Sequence, residues 1–383
     1  MLDGIRIVDL TSIVFGPYAT ETLADLGAEV IKVEPPAGDM FRHAGAPART
    51  PGMGACHMTL NRGKLSVTLD LKRDADAAKM RDLLRTADVF ITNVRGRAIR
   101  RLGFDYASVR ELKDDIIYLH CVGFGSGGRY RDLPAYDDVI QAATGTATLL
   151  PRVDGQAQPR YLPSLIADKV AGLHGAYAIL AAIIHKLRTG EGQLVEVPMF
   201  ETFAHFMLQE HMFGATFVPQ TYPVGYPRQL DPSRQPFPTA DGYISIVLYT
   251  DEVTARLIQV FGDEELLSDP RYADKAARSK HSKEFYAEMA RRTPARTTAE
   301  WTKVFEEANI PSMPMRDLAD IKEDPHLKDV GFFSQSCHPT EGDCISLRAP
   351  VSFSAYPHRS LAPAPGIGEH NDRLDELSNP DKR

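Results

Sequence analysis

The sequence predicts an α/β protein: a helix-covered parallel sheet in the larger, N-terminal part, and a smaller α/β unit further on. Three observations carry that prediction. Short β-rich runs alternate with stretches of helical period over the first half of the chain. Those runs are near-continuously apolar rather than alternating, as strands buried on both faces must be. A stretch crowded with Pro and Gly, 216–238, then separates a second set of elements from the first.

Taken in order, IRIVDL (5–10) reads as a strand, and PYATETLADLG (17–27) as a helix with Ala19, Leu23 and Leu26 on one side. EVIKVE (29–34) and LSVTLDL (65–71) are further strands. Helix AKMRDLLRTA (78–87), strand DVFITNV (88–94), a helical stretch near 106–113 and strand IIYLHCVGF (116–124) complete a βαβ series. A long helix is expected from Asp168 to Leu187, stopped by Thr189-Gly-Glu-Gly192. Strand QLVEVPMF (193–200) and helix ETFAHFMLQEHMF follow. Beyond the Pro/Gly-rich stretch come strand YISIVLY (243–249) and helices near 251–261, 282–292 and 298–309. Pro311, Pro314 and Pro325 break up the segment after them. The tail SFSAYPHRSLAPAPGIGEHNDRLDEL reads as a second linker closing with a short helix.

A chain of 383 residues has room for two domains. With 43% hydrophobic residues it can bury a large core without disulfides, and its four cysteines (Cys56, Cys121, Cys337, Cys344) form no disulfide framework. Cys337-His338 and Cys344 lack a paired C-x-x-C, so no metal is expected. A net charge of −7 with dispersed Lys and Arg argues against a nucleic-acid face or a polybasic membrane patch. MLDGIRIVDL has no basic n-region, and AYAILAAII falls short of the roughly 20 apolar residues that span a bilayer. A cytoplasmic protein with neither a membrane nor a nucleic-acid partner is expected.

Gly123, Gly125 and Gly128 stand at G-x-G-x-x-G spacing behind the strand IIYLHCV. A dinucleotide fingerprint needs a helix to follow, so that its N-terminus meets the pyrophosphate. Here RYRDLPAY follows, with Pro134 and no apolar helical period. A surface turn and a mobile loop over an active site both remain compatible with these glycines. Phe124 occupies the position where G-x-S-x-G would need other chemistry, and Thr189-Gly-Glu-Gly-Gln lacks the Lys-Ser/Thr ending of a P-loop. Asp168, at the start of the long helix, has two readings: an N-cap, or a nucleophilic carboxylate ionised at neutral pH and held at a helix end.

The order and spacing of several motifs resemble the family III CoA-transferases (the CaiB/BaiF family). The motifs are L-x-G-I-R-I-V-D-L…G-P-x…L-A-D-L-G-A-E-V-I-K-V-E-P at the start, N-R-G-K-x-S-V-x-L-D-L-K (61–72), A-D-V-F-I-x-N (87–93), R-L-G-F (101–104), G-F-G…G-x-Y (123–130), Y-D-x-x-I-Q-A-x-x-G (136–145), T-G-E-G-Q (189–193) and G-E-H (368–370). The resemblance implies a large Rossmann-like CoA-binding domain (1–215), a linker (216–240), a small α/β domain (241–328), and a return linker with a C-terminal segment that completes the large domain (329–383). It also implies an interlocked homodimer. The substrates would be an acyl-CoA thioester and a carboxylic acid, with no permanently bound cofactor.

The family's catalytic aspartate maps onto Asp168, which makes nucleophile the favoured reading there. CoA moves through an aspartyl–acyl anhydride and an aspartyl-CoA thioester, and the loop Gly123-Phe124-Gly125 is expected to shield the anhydrides and turn its amides to the substrate. The CoA-contacting positions that carry over are Val14, Phe15, Leu69, Lys72, Asn93, Val94, Arg95, Arg101, Leu102, Tyr136 and Asp137. Many members carry a basic residue after the Glu of the second strand. Here it is Pro35, and Arg42 or Lys32 is expected to compensate. The α-methylacyl-CoA racemases, on the same fold, offer the alternative activity. Their histidine falls at Tyr136, a poor base at neutral pH. The glycine-rich substrate loop of the formyl-CoA branch is missing, and Tyr222, Tyr226, Arg228 and Arg234 are candidates for the acid pocket, where an Arg could read a second carboxylate.

Overall fold

A computed structural model describes residues 1–379; residues 380–383 of the expected C-terminal segment lie outside the described residues. The chain divides into two compact units, one of residues 1–148, 158–209 and 326 onward, the other of 149–157 and 210–325. The short segment 149–157 groups with the second unit, a crossing that composition does not signal.

Six parallel strands form the sheet of the first unit: β1 (Arg6–Leu10), β2 (Glu29–Glu34), β3 (Lys64–Thr68), β4 (Val89–Thr92), β5 (Ile117–Val122) and β6 (Gln193–Pro198). Their order is β3-β2-β1-β4-β5-β6, so the winding direction reverses between β1 and β4. The helices as far as residue 211 are α1 (Phe15–Asp25), α2 (Ala55–Leu60), α3 (Asp74–Arg85), α4 (Gly96–Leu102), α5 (Tyr106–Leu112), α6 (Asp137–Ala143), α7 (Leu149–Asp154), α8 (Ile166–Thr189) and α9 (Met199–His211), of which α7 belongs to the second unit.

The strands are apolar on both sides because both faces carry helices. Ile7, Val30, Val89, Ile91 and Leu119 pack with Phe15, Leu23, Ile179 and Phe203 on one face. Val8, Ile31, Phe90 and Tyr118 pack with Met80, Leu83 and Val109 on the other, joined by Leu374 and Leu377 from the chain's end. Successive residues such as Ile7 and Val8 point to opposite faces, so each strand feeds both cores. Helix α8 reaches α1 closely because it presents glycine there. A Cβ on Gly172 would sit 3.0 Å from the Phe15 carbonyl oxygen, and one on Gly175 3.3 Å from Ala19 Cβ.

Several boundaries differ from the sequence expectation. α1 starts two residues before Pro17, which occupies a first-turn position where no N–H is needed. α8 starts at Ile166, two residues before Asp168. The third strand stops at Thr68. In the second unit, Tyr243–Ile246 is shorter than expected and pairs antiparallel with Phe237–Pro238 and with Ser312–Pro314. Around it Phe237, Ile244, Leu257, Phe285 and Phe305 form a separate core, with Trp301 stacked on Phe305 at 4.9 Å. Residues 217–236 carry neither helix nor strand. The hairpin of Phe333–His338 with Gly342–Leu347 lay hidden in a segment with no clear strand period.

Candidate active site

At the reversal point between β1 and β4, the loops leaving their C-terminal ends diverge and open a crevice, the usual ligand position in such sheets. A cleft of about 480 Å³ lies there, lined among others by Ser12, Ile13, Asn93, Arg95, Arg101 and Tyr136.

The β1–α1 loop on its floor is gripped from three sides. Asp9 accepts the Thr11 N–H at 2.9 Å. Asn93 accepts the Ser12 N–H at 3.1 Å and donates to the Ser12 carbonyl at 2.9 Å. Both oxygens of Asp39 lie 3.2 Å from the Ile13 nitrogen. Ile13 has φ +72°, a left-handed conformation that strains a β-branched residue by on the order of 1–3 kcal/mol.

Beneath the loop lies a fully buried charge network. Lys32 is 3.1 Å from Asp39 and donates to the Thr11 carbonyl at 2.9 Å. Arg42 holds Glu34 through Nε at 2.7 Å and Nη2 at 2.6 Å, and Lys64 lies 3.5 Å from Asp9. Three acids face three bases, so the interior charge cancels. Burial pushes Asp9 and Glu34 up, but Lys64 and Lys32 outweigh it at Asp9. The Arg42 hydrogen bond and Lys32 do so at Glu34, which they hold at about 2.

Asp168 sits at the third residue of α8, nearly wholly buried. It does not cap its own helix. Asp137 does: its Oδ1 accepts the Ala167 and Asp168 N–H groups at 2.7 and 3.2 Å, and its Oδ2 accepts from Gln141 at 2.6 Å. Gln141 in turn accepts the Leu162 N–H at 2.8 Å, pinning the segment that leads into α8. The Asp168 carboxyl is thereby left for other work. Burial first, and the Asp137 charge second, raise it to about 7, while the nearby Phe15 backbone N–H at the start of α1 pulls the other way. Its proton affinity is therefore shifted well above that of an ordinary aspartate.

Several expected contact residues hold other positions. Arg42 and Lys32 cannot replace a basic residue at Pro35 in reaching a phosphate, because both are fully buried in ion pairs. Asp137 is buried under α8 and committed to its N-terminus. Val14, Phe15 and Leu69 bury their side chains and can offer only backbone. Asn93, Arg95, Arg101 and Tyr136 line the cleft, whereas Lys72, Val94 and Leu102 do not. Gly123 lines it too, pressed so close to Ala135 that a Cβ would meet the Ala135 Cβ at 2.3 Å. The amides of Gly125 and Ser126 are engaged within the protein: they donate to Glu201 at 3.0 Å and Glu196 at 2.9 Å. Phe124 is buried against Tyr130 and Phe200. Sequence reasoning missed Ser12, Ile13, Asp39 and Gln141. Only Asp39 carried a signal, as an acid following Gly38 at the end of a buried strand.

A buried carboxyl raised toward neutrality, a helix-start amide near it and a cleft with exposed arginines mark this end of the sheet as the candidate active site of an α/β enzyme. The family model for CoA-transferase family III matches residues 2–371, and the chain belongs to that family. It is 32% identical over 384 residues to the succinate–glutarate CoA-transferase of Agrobacterium fabrum, covering 96% of this chain and 93% of that one. It is 29% identical over 388 residues to the succinyl-CoA:mesaconate CoA-transferase of Haloarcula marismortui, covering 97% and 95%. The crystal structure of a CaiB/BaiF family protein from Brucella suis superposes with a TM-score of 0.84 at 29% identity, covering 99% of each chain.

Proposed function

We propose that the enzyme transfers CoA from an acyl-CoA thioester to a carboxylic acid, with Asp168 as the nucleophile. The observation that carries this reading is a buried carboxyl whose helix-capping duty belongs to Asp137, leaving it free to react beside the start of α1. Ionised Asp168 attacks the thioester carbonyl, the C–S bond breaks, and an aspartyl–acyl anhydride and CoA thiolate result. The thiolate attacks the aspartyl carbonyl, forming the aspartyl-CoA thioester and releasing the donor acid. The acceptor carboxylate attacks that thioester, giving a second anhydride and thiolate. Thiolate attack on the acceptor carbonyl yields the new acyl-CoA and frees Asp168. Each step exchanges species of similar energy, so the protein's task is positioning and charge stabilisation. The Phe15 amide at the positive end of α1 takes the oxyanion-donor part expected of the glycine loop. Arg95 and Arg101 suit the phosphates of CoA, which is a substrate and not a resident cofactor.

For the acids, the reading is a dicarboxylate, as in the names of the two relatives. Within the second unit Tyr226, Arg228, Tyr249 and Lys275 line a pocket of about 300 Å³, and the Arg228 guanidinium lies 4.3 Å over the Tyr249 ring. Such cations suit a second carboxylate. Tyr222 and Arg234 lie outside that lining. The racemase alternative has no histidine at Tyr136, and both relatives named are transferases.

Leu173, Tyr177, Ile184 and Leu187 form an exposed stripe on α8, while Ala171, Ile179 and Ile183 of the same helix enter the core. That two-sidedness supports a core helix whose outer face is covered by a second copy in an interlocked homodimer. The four free cysteines fit a cytoplasmic enzyme. The test of the whole reading is Asp168→Asn with a labelled acyl-CoA donor. Wild-type enzyme should give a hydroxylamine-sensitive label on Asp168, and the variant should lose both label and CoA exchange. Exchange persisting at wild-type rate in the variant would overturn it.

A further inference from the structure

Asp39 belongs to neither the cleft lining nor any expected contact, yet it is nearly wholly buried and its two oxygens converge on one backbone amide, that of Ile13. Ile13 is one of three non-glycine residues at positive φ among the described residues, and the only one of the three with a branched β carbon. A strained residue persists only where its surroundings fix it. Here those surroundings are Asp39, itself fixed by Lys32 and by its own N–H donating to Glu34 at 2.9 Å. Two residues beyond Ile13 stands Phe15, whose backbone packs against α8 and whose N–H lies near enough to Asp168 to favour its ionised form. Glu34 is locked by Arg42, and Lys32 is also tied to the Thr11 carbonyl, so the support runs unbroken from the sheet interior to the loop.

We propose that Asp39 is a positioning residue: by holding Ile13 in its left-handed conformation it aims the Phe15 amide at the Asp168 carboxylate. The inference rests on Asp168 being the nucleophile. Asp39 touches no reacting atom and acts through Ile13 and Phe15.

The test is the pH profile of kcat/KM for Asp39→Ala and Asp39→Asn, each alone and with Ile13→Gly. Turning the Phe15 N–H away raises the Asp168 pKa further, so fewer enzyme molecules carry the ionised nucleophile near pH 7. Asp39→Ala should therefore lose about tenfold at pH 7 and recover toward the wild-type rate at pH 9, one decade in rate being one decade in ionised fraction. Asp39→Asn keeps an acceptor oxygen and should retain more of the rate. In the Ile13→Gly background the left-handed conformation is free of strain, so removing Asp39 should matter less. Should Asp39→Ala not fold because Lys32 is left buried and unpaired, Lys32→Met with Asp39→Ala removes both charges and still frees Ile13. A variant-to-wild-type ratio that stays flat from pH 6 to 9, or equal losses with and without Ile13→Gly, would overturn the inference. An inactive Asp168→Asn beside that flat ratio would sink the Asp39 role alone; an active one would sink the nucleophile.

Discussion

Asp168→Asn should make the protein more stable at neutral pH at the same time as it removes the activity. Folding takes this carboxyl from an ordinary 3.8 to about 7, chiefly by burial and then by the Asp137 charge. Because the folded form binds the proton more tightly than the unfolded one, stability falls as pH rises through that window and levels off above about 7. Each tenfold difference in proton affinity is worth about 1.36 kcal/mol, so at pH 8 the ionisable group burdens the fold by about 4 kcal/mol. Asn is the same size, keeps an oxygen for the Phe15 amide and carries no proton to lose. The variant should gain most of that 4 kcal/mol at pH 8 and almost none at pH 4. Over a chain of 383 residues this corresponds to about 5 °C in Tm. Urea unfolding of both proteins from pH 4 to 8, at one fixed protomer concentration, reads it directly. A stability gap that does not grow with pH, or an Asn variant less stable at pH 8, would refute the assignment of a strained, buried carboxyl.

Asp137→Asn forces an amide NH₂ against either Gln141 or the N-terminal amides of α8, so urea unfolding should show a loss of about 1–3 kcal/mol. Removing its charge should also move the acidic limb of the kcat/KM profile to lower pH. Arg95→Gln and Arg101→Gln should each raise KM for the acyl-CoA about tenfold with kcat nearly unchanged and with weaker salt dependence, read by initial rates. Arg42→Ala should instead leave Glu34 charged and unpaired in the interior, lowering stability by about 3–5 kcal/mol. Gly123→Ala should impair turnover through its clash with Ala135, and adding Ala135→Gly should restore it.

The sheet was legible because strands covered on both faces leave long apolar runs, and the crossovers between them admit only a parallel arrangement. Asp168 was legible only through its motif context. Its burial and the division of labour with Asp137 depend on a contact between residues 31 apart in sequence, which no local pattern encodes. Charges misled most. Arg42 and Lys32 look like surface cations able to meet a phosphate, yet both point inward. The clue was present in EVIKVE: Lys32 and Glu34 stand within a strand buried on both faces, and a charge there survives only when paired. In the glycine loop the Gly125 and Ser126 amides are spoken for by Glu201 and Glu196, distant in sequence.

The first unit is finished by the last residues of the chain. Arg6 donates to the Leu377 carbonyl at 2.9 Å across 371 positions, the Pro365 carbonyl receives both His57 and Arg42, and the Ser66 N–H donates to His370 at 3.1 Å. During synthesis at about 5–20 residues per second, the opening strands must therefore wait on the order of half a minute for their final partners to leave the ribosome. Nascent chains in that interval expose the part of this apolar cluster where Leu374 and Leu377 will dock. Chaperone demand should be concentrated there, and a premature stop codon a few triplets upstream of Leu374 would leave Arg6 and that cluster without their final partners.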